Sequence, residues 1–244
     1  MPLEVNKKAL SDTTVSWGAT VEKTLEILSE VNVAALADRY SKLEKRFRVR
    51  AEPPYAVRLD GVNFSKALRD YKAPRDPTVH GVLVSAAAAL VDRFKAFGAW
   101  VGSDEINLLF LGPDNPYGGR VEKIISISSG LASSVVTAAL HKYLFFDSRV
   151  VPLKDRRDAA LYVLYRARVS ANNFLSKLLQ LRGVEVKGRF NERLKASSKY
   201  LSSYGEWALL GTSIIWFNYT RKGKPRRRIC AVTGPLELVS RLGW

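Results

Sequence analysis

Cysteine is nearly absent from this chain. Cys230 stands alone, so no internal disulfide is available, and a reducing, cytoplasmic setting is expected. Histidine is almost as scarce, with only His80 and His141. That removes zinc sites built from several histidine and cysteine ligands. A metal here would be a hard cation held by oxygen, such as Mg²⁺. The glycine signatures of Rossmann and P-loop nucleotide sites are also missing. No apolar leader opens the chain: Met1–Leu10 carries Glu4, Lys7 and Lys8. The longest uncharged stretch, Ile124–Leu140, is broken by Ser126, Ser128, Ser129, Ser133, Ser134 and Thr137. It reads as too polar and rather short for a bilayer span, so no membrane partner is expected.

Acid is in short supply. There are 23 Asp and Glu against 39 Lys and Arg, a formal charge of +16. Such an excess favours a polyanionic partner, because each neutralised phosphate releases counterions. The competing explanation is a basic surface of the thermophile type with no nucleic acid bound. At 244 residues and 47% apolar, the chain is globular and large enough for one substantial domain plus an appendage.

Residues 1–50 read as an N-terminal helical appendage. Val21, Leu25, Ile27, Leu28, Val31, Val33, Leu36 and Leu43 recur at roughly helical spacing. Pro53-Pro54 then mark a boundary, and residues 51–244 form the main domain. Tyr55–Leu59 is a strand ending at Asp60-Gly61. Thr78 caps a helix reaching about Phe97, and Gly98 closes it. Trp100–Leu111 reads as a hairpin turning at Gly102-Ser103-Asp104-Glu105. Helices are expected at 120–143, 158–181 and 190–201, with strands at 146–151, 212–219 and 227–232. This order predicts an α+β domain whose antiparallel sheet is flanked by helices.

Two acidic signals stand out. Asp60 ends a strand, and Asp104 sits in a hairpin turn between apolar strands. If those strands are neighbours, the two carboxylates approach one another, and a cation is needed to neutralise them. Two Mg²⁺ ions there would suit in-line phosphoryl transfer. Gly61 would let the backbone come close to a triphosphate and offer its carbonyl as a ligand. Against this, Asp-Gly is a common turn pair and an acidic hairpin tip is usually just solvated. Arg120 and Lys123 share a helix face and would clamp phosphates or remain solvated. Asp147 and Arg149 point to one side of a strand and read as a structural ion pair. Arg221, Lys222, Lys224, Arg226, Arg227 and Arg228 put six cations in eight residues. That run suits an RNA-backbone grip as well as it suits a solvated loop.

Taken in order, Val57-Arg58-Leu59-Asp60-Gly61-Val62-Asn63-Phe64, Gly102-Ser103-Asp104-Glu105, Arg120-x-x-Lys123, Phe146–Val151, Asn172-Asn173 and Gly211-Thr212 resemble the tRNA-His guanylyltransferase family. The likeness extends to that family's guanylyltransferase-like 3′–5′ polymerases and covers roughly residues 40–220. It implies a palm-like catalytic domain and two Mg²⁺ ions held by Asp60, the Gly61 carbonyl and Asp104. It implies a nucleotide, GTP or ATP, lying over Asp60, Gly61, Val62, Asn63, Phe64 and Ser65 and touching Ser103 and Asp104. Arg120 and Lys123 match phosphate-contacting residues, and Glu105 would assist the metal site. The implied reaction adds nucleotides to the 5′ end of tRNA by a homo-oligomer, commonly a tetramer.

Departures from the family pattern are specific. His-Ile-Asn-Asn is replaced by Ser170-Ala171-Asn172-Asn173, and the lysine before the loop proline is Ala73, with Lys72 beside it. These changes point to a guanylyltransferase-like protein with 5′-end addition or repair. Two other classes remain open: a palm-like module that grips tRNA without catalysis, and a palm-type nucleotide cyclase acting without RNA.

Overall fold

The computed structural model describes residues 23–24, 27–185 and 188–244; Val21 and Leu25 of the N-terminal pattern lie outside them. The chain divides into two compact units, Met1–Arg48 and Val49–Trp244. In the first, helix α1 (Val33–Lys45) starts where the Asn32 side chain accepts a hydrogen bond from the Ala35 amide at 3.0 Å. It buries none of its residues.

The second unit is built on one sheet. Its strands are β1 (Tyr55–Gly61), β2 (Gly98–Gly102), β3 (Glu105–Phe110), β4 (Phe146–Pro152), β5 (Thr212–Arg221) and β6 (Lys224–Thr233). They lie side by side as β4-β1-β3-β2-β5-β6, with every ladder antiparallel. The main helices are α3 (Pro77–Phe94), α4 (Val121–Leu140), α5 (Arg156–Leu181) and α6 (Phe190–Leu201). Short helices α2 (Phe64–Ala67), α7 (Glu206–Leu210) and α8 (Leu236–Ser240) complete the unit.

Alternation along the strands supplies two cores. On one face Tyr55, Val57, Leu59, Ile106, Leu108 and Ile214 pack with Leu83, Leu90 and Val91 of α3 and Ile124 and Val136 of α4. On the other, Ala56, Trp100, Leu109 and Ile215 pack with Ala159, Ala160 and Val163 of α5 and Leu238 of α8. The second half of α5 carries a separate cluster in which Phe174, Leu175 and Leu178 meet Ala208, Phe190 and Leu194. Helices on both faces of an antiparallel sheet are what the order of patterns predicts.

Several boundaries differ from the sequence reading, each for a local reason. α3 begins before Thr78 because Asp76 is its cap, its Oδ1 accepting from the amides of Thr78 at 2.8 Å and Val79 at 3.2 Å. Pro77 opens the helix, where its missing N–H costs nothing. α5 begins early for the same reason, with Asp155 accepting from the Asp158 amide at 2.8 Å. The basic run is a strand pair rather than a loop. Lys222 and Gly223 have φ values of 50° and 70°, so a two-residue turn closes the hairpin and pairing continues from Arg221 to Lys224.

The stretch read as too polar for a membrane is long and apolar enough, by length and composition, to cross one. Serine lowers its hydropathy less than a charge would. In this unit the stripe Ile124, Ser128, Ala132, Val136 and Leu140 is buried. Ser128 reaches the sheet through Ser148, with their hydroxyl oxygens 3.0 Å apart.

Candidate active site

The site is assembled by strand register. β1 pairs with β3 so that Asp60 stands opposite Glu105. On its other side, β1 pairs with β4 so that Asp60 stands opposite Asp147. The β2–β3 turn, made by Ser103 at φ 63° and Asp104, therefore lies against the end of β1. The Gly61 amide donates to the Asp104 carbonyl at 3.0 Å. The phenyl ring of Phe64 sits where a Cβ on Gly61 would be, so glycine is needed there for close approach.

Beneath this end of the sheet lies a buried ion network. Arg58 Nη2 donates to Asp60 Oδ2 at 2.6 Å and to Glu105 Oε1 at 2.7 Å. Arg166 of α5 donates through Nε to Glu105 Oε2 at 3.0 Å and through Nη2 to Glu105 Oε1. Both oxygens of Glu105 are thus taken, and the residue is 8% exposed. Glu105 anchors both guanidinium groups.

Asp60 is different. Burial, foremost, raises its carboxyl above the ordinary aspartate range. Arg58 opposes that shift, while Glu105, Asp104 and Asp147 add to it. A cation bound at Asp60 would offset this burial and favour the ionised carboxylate. Its donors would be carboxylate and carbonyl oxygens, a set for a hard divalent ion. Among the described residues, no three acidic, histidine or cysteine side chains already converge as a metal cluster. Asp60 and Asp104, with the Gly61 carbonyl, fit a site completed by the ion and its ligand. The neighbouring Asp147 is held by Arg149, whose Nη2 donates to its two oxygens at 2.8 and 2.7 Å. This is the structural pair that the strand alternation suggested.

Asp104 also borders a cleft of about 380 Å³, in the size range of small-molecule sites. Phe64, Ser65 and Ser103 line it, as do the cations Arg69, Lys72, Arg75 and Lys177. An aromatic wall is made by His80 and Trp207, stacked with ring centroids 4.5 Å apart. His80 Nε2 lies 2.8 Å from Thr212 Oγ1. Burial, then the Arg75 charge, pulls the imidazole down to about 4, so it is neutral at physiological pH. Arg75 donates to the Ser170 carbonyl and hydroxyl, both at 3.2 Å, while its buried Nε has no hydrogen-bond partner. Burial lowers it to about 10, against the pull of Asp104 and Glu105, and it stays charged.

The structure brings Phe64, Ser65, Ser103 and Asp104 to the cleft; Asp60 and Gly61 do not line it and are joined to Asp104 through the Gly61 backbone hydrogen bond. Asn63 adopts a left-handed φ of 55° before α2, and Val62 is exposed outside the cleft. Arg120 and Lys123 are not brought here. The Val121 amide donates to the Val49 carbonyl, and Arg120 bridges Arg50, which fixes the start of α4 at the opposite end of β1. Five residues of strand separate that level from Asp60, about 17 Å. The basic hairpin is also distant and fully exposed over Lys224–Arg228. Sequence reasoning missed Arg75, His80, Lys177 and Trp207 as cleft residues. The usable signal was a charged residue bracketed by Pro74 and Pro77 just ahead of a helix.

Two outcomes test this division of roles. Glu105→Ala strands two buried guanidinium groups and should lower unfolding free energy by on the order of 3 kcal/mol. Asp104→Asn should change it by about 0.5 kcal/mol or less. Denaturant unfolding at neutral pH separates the two. His80 binds a proton more readily unfolded than folded, so its contribution is present above about pH 6.5 and is lost as pH falls toward its folded value of about 4. Unfolding free energy should drop by up to about 3 kcal/mol across that window. The slope of a pH series should be smaller in His80→Phe.

The chain is similar to known proteins in sequence and in fold. Residues 37–155 match the family model described as tRNAHis guanylyltransferase, a span that takes in Asp60, Asp104 and Asp147. An uncharacterized protein of Acanthamoeba polyphaga mimivirus is 28% identical over 222 residues, covering 78% of this chain and 75% of its own. A bacterial tRNA(His) guanylyltransferase-like protein solved in complex with ATP superposes with TM-score 0.71 at 21% identity, covering 85% of this chain and 98% of its own. The GTP complex of a bacterial guanylyltransferase-like protein gives 0.69 at 19% identity, covering 86% and 99%. The tRNA(His) guanylyltransferase of Saccharomyces cerevisiae gives 0.58 at 16%, covering 79% and 97%. These superpositions show the shared palm-like fold, and the sequence of residues 37–155 matches the tRNAHis guanylyltransferase family model.

Proposed function

We propose that this chain adds nucleotides to the 5′ end of tRNA in the 3′–5′ direction, as a guanylyltransferase-like nucleotidyltransferase. The observation that supports the reading is the backbone hydrogen bond from Gly61 to Asp104, which joins the end of the Asp60 strand to the turn whose Asp104 lines a nucleotide-sized, cation-lined cleft. The bound nucleotides of the bacterial superposed proteins support assigning that cleft to a nucleoside triphosphate.

In the proposed reaction the 3′-hydroxyl of an incoming nucleotide attacks the 5′ α-phosphorus of the RNA. The new phosphodiester bond forms as the bond to the β-phosphate breaks. Pyrophosphate leaves, and the hydroxyl proton passes to solvent. Where the end is first activated with ATP, AMP is the leaving group. Mg²⁺ ions held by Asp60, Asp104 and the Gly61 carbonyl would lower the charge of the phosphates and the pKa of the attacking hydroxyl. The chain's own residues do the positioning. Lys72, Arg75 and Lys177 present positive charge to the phosphates. Trp207, backed by His80, offers a flat wall for a base. Arg58 holds Asp60 in place through Glu105 and Arg166.

The tRNA is assigned to the β5–β6 hairpin as well. Arg227 lies over the Trp216 ring at 4.2 Å, and Arg228 lies near the rings of Phe217 and Tyr219. Cations interleaved with rings suit a nucleic-acid backbone and its bases. β5 starts level with Val101, at the acidic end, and runs nine residues away from it to Arg221, about 30 Å. A ligand touching both places is much larger than a mononucleotide.

The test uses 5′-truncated tRNA, labelled nucleoside triphosphates and Mg²⁺. Template-directed incorporation at the 5′ end is expected, falling to background in Asp60→Ala and Asp104→Ala. Salt-sensitive tRNA binding without incorporation would make the chain a binding module. Triphosphate turnover without RNA would make it a cyclase.

A further inference from the structure

The rim of the site carries an apolar surface that the fold does not use. Asp60 and Asp147 are register partners on neighbouring strands, and Gly61 pairs with Phe146. The ladder runs one step further, with the Val62 amide donating to the Phe145 carbonyl at 2.9 Å. Alternation puts Val62 on the face of Asp60, and Phe145 on the face of Asp147. Phe146 points the other way into the core, edge-on to Phe64 with centroids 5.0 Å apart. Phe145 is 60% exposed and Val62 43% exposed. Tyr143, two residues before Phe145, is exposed as well. Single exposed apolar residues are ordinary, but three close in the chain beside the half-buried Asp60 and the exposed Asp147 mark a contact surface.

Its position says what the contact is. Val62 and Phe145 lie two residues along their strands from the Asp60–Asp147 pair, about 7 Å. That is the reach of one nucleotide from its 5′ phosphate to its base. The flanking Lys66 is exposed, and Lys142 lies at the same rim, 2.9 Å from Asp70. An apolar ring set between carboxylates and lysines suits a base on a phosphate chain better than it suits an uncharged protein surface.

We propose that Phe145, with Val62 beside it, is the platform on which the terminal base of the acceptor RNA stacks while its 5′ phosphate lies at Asp60. This rests on the 5′-addition reading and adds the subsite for the RNA end, separate from the nucleotide cleft. Phe145 is a positioning residue: it orients the RNA through the base and does not touch the reacting phosphorus.

The test uses the full chain and a hairpin RNA with the shape of a tRNA acceptor stem. A fluorescent purine analogue is placed at the 5′-terminal nucleotide, Mg²⁺ is present, and nucleoside triphosphates are left out so that no turnover occurs. Binding should quench the terminal analogue. Phe145→Ala should weaken binding about tenfold and remove the quench, whereas Phe145→Trp should keep both. An analogue inside the stem, and GTP binding to the cleft, should be unaffected by Phe145→Ala. An unchanged quench and affinity in Phe145→Ala would overturn the platform while leaving 5′ addition intact. A fall in the sedimenting mass of Phe145→Ala would overturn it in favour of contact with a second copy of the chain. Failure of the parent protein to bind the RNA at all would remove the platform together with the proposed function.

Discussion

The pairing of β1 with β3 is the constraint from which the site follows. Asp60 sits opposite Glu105, so the Asp104 carbonyl falls within reach of the Gly61 amide. A slip of one residue would turn Glu105 to the face that Ile106 and Leu108 now fill and expel those apolar side chains from their core. The register is fixed twice. Apolar alternation holds it on the helix-covered faces, and Arg58 clasps Asp60 and Glu105 across the two strands. Arg166 ties the same carboxylate to α5, so a helix, two strands and a turn share one buried ion network. Such networks add little net stability, but breaking one partner is costly, which makes them good locators.

Electrostatics at this spot run against the rest of the molecule. The chain carries a formal charge of +16, yet Asp60, Asp104, Glu105 and Asp147 gather at one end of the sheet. Arg58, Arg166 and Arg149 are spent holding three of these acids, and Asp60 is still driven toward its neutral form. The positive excess lies instead in the cleft and on the exposed hairpin. A polyanion would therefore be attracted broadly by the surface, while the acids would be the place for the proposed divalent cations.

Much of this was legible in the chain of residues. The strand ending at Asp60-Gly61 and the turn at Ser103-Asp104 were visible because apolar alternation stops there abruptly. Phe190–Leu201 was placed to the residue. What remained hidden depended on contacts between distant segments. Nothing local says that Glu105 is consumed by Arg166, 61 positions away. Likewise, Arg120 and Lys123 were grouped with the phosphate site by resemblance, whereas the direction of α4 carries them to the far end of β1. Arg75, His80 and Trp207 come from three separate segments and meet only through the fold. The basic run read as a loop because its charge masked a two-residue turn at Lys222-Gly223.

On the proposed reading, the cleft, the acids, the apolar rim and the hairpin form one surface for a nucleotide and an RNA end, with Asp60 and Asp104 at its centre. The direct test is a crystal structure of the chain with a non-hydrolysable GTP analogue and manganese, read by anomalous scattering. The account predicts manganese within bonding distance of the carboxylates of both Asp60 and Asp104, against the triphosphate. Manganese held away from that pair, or a triphosphate bound with the two carboxylates apart and metal-free, would contradict it.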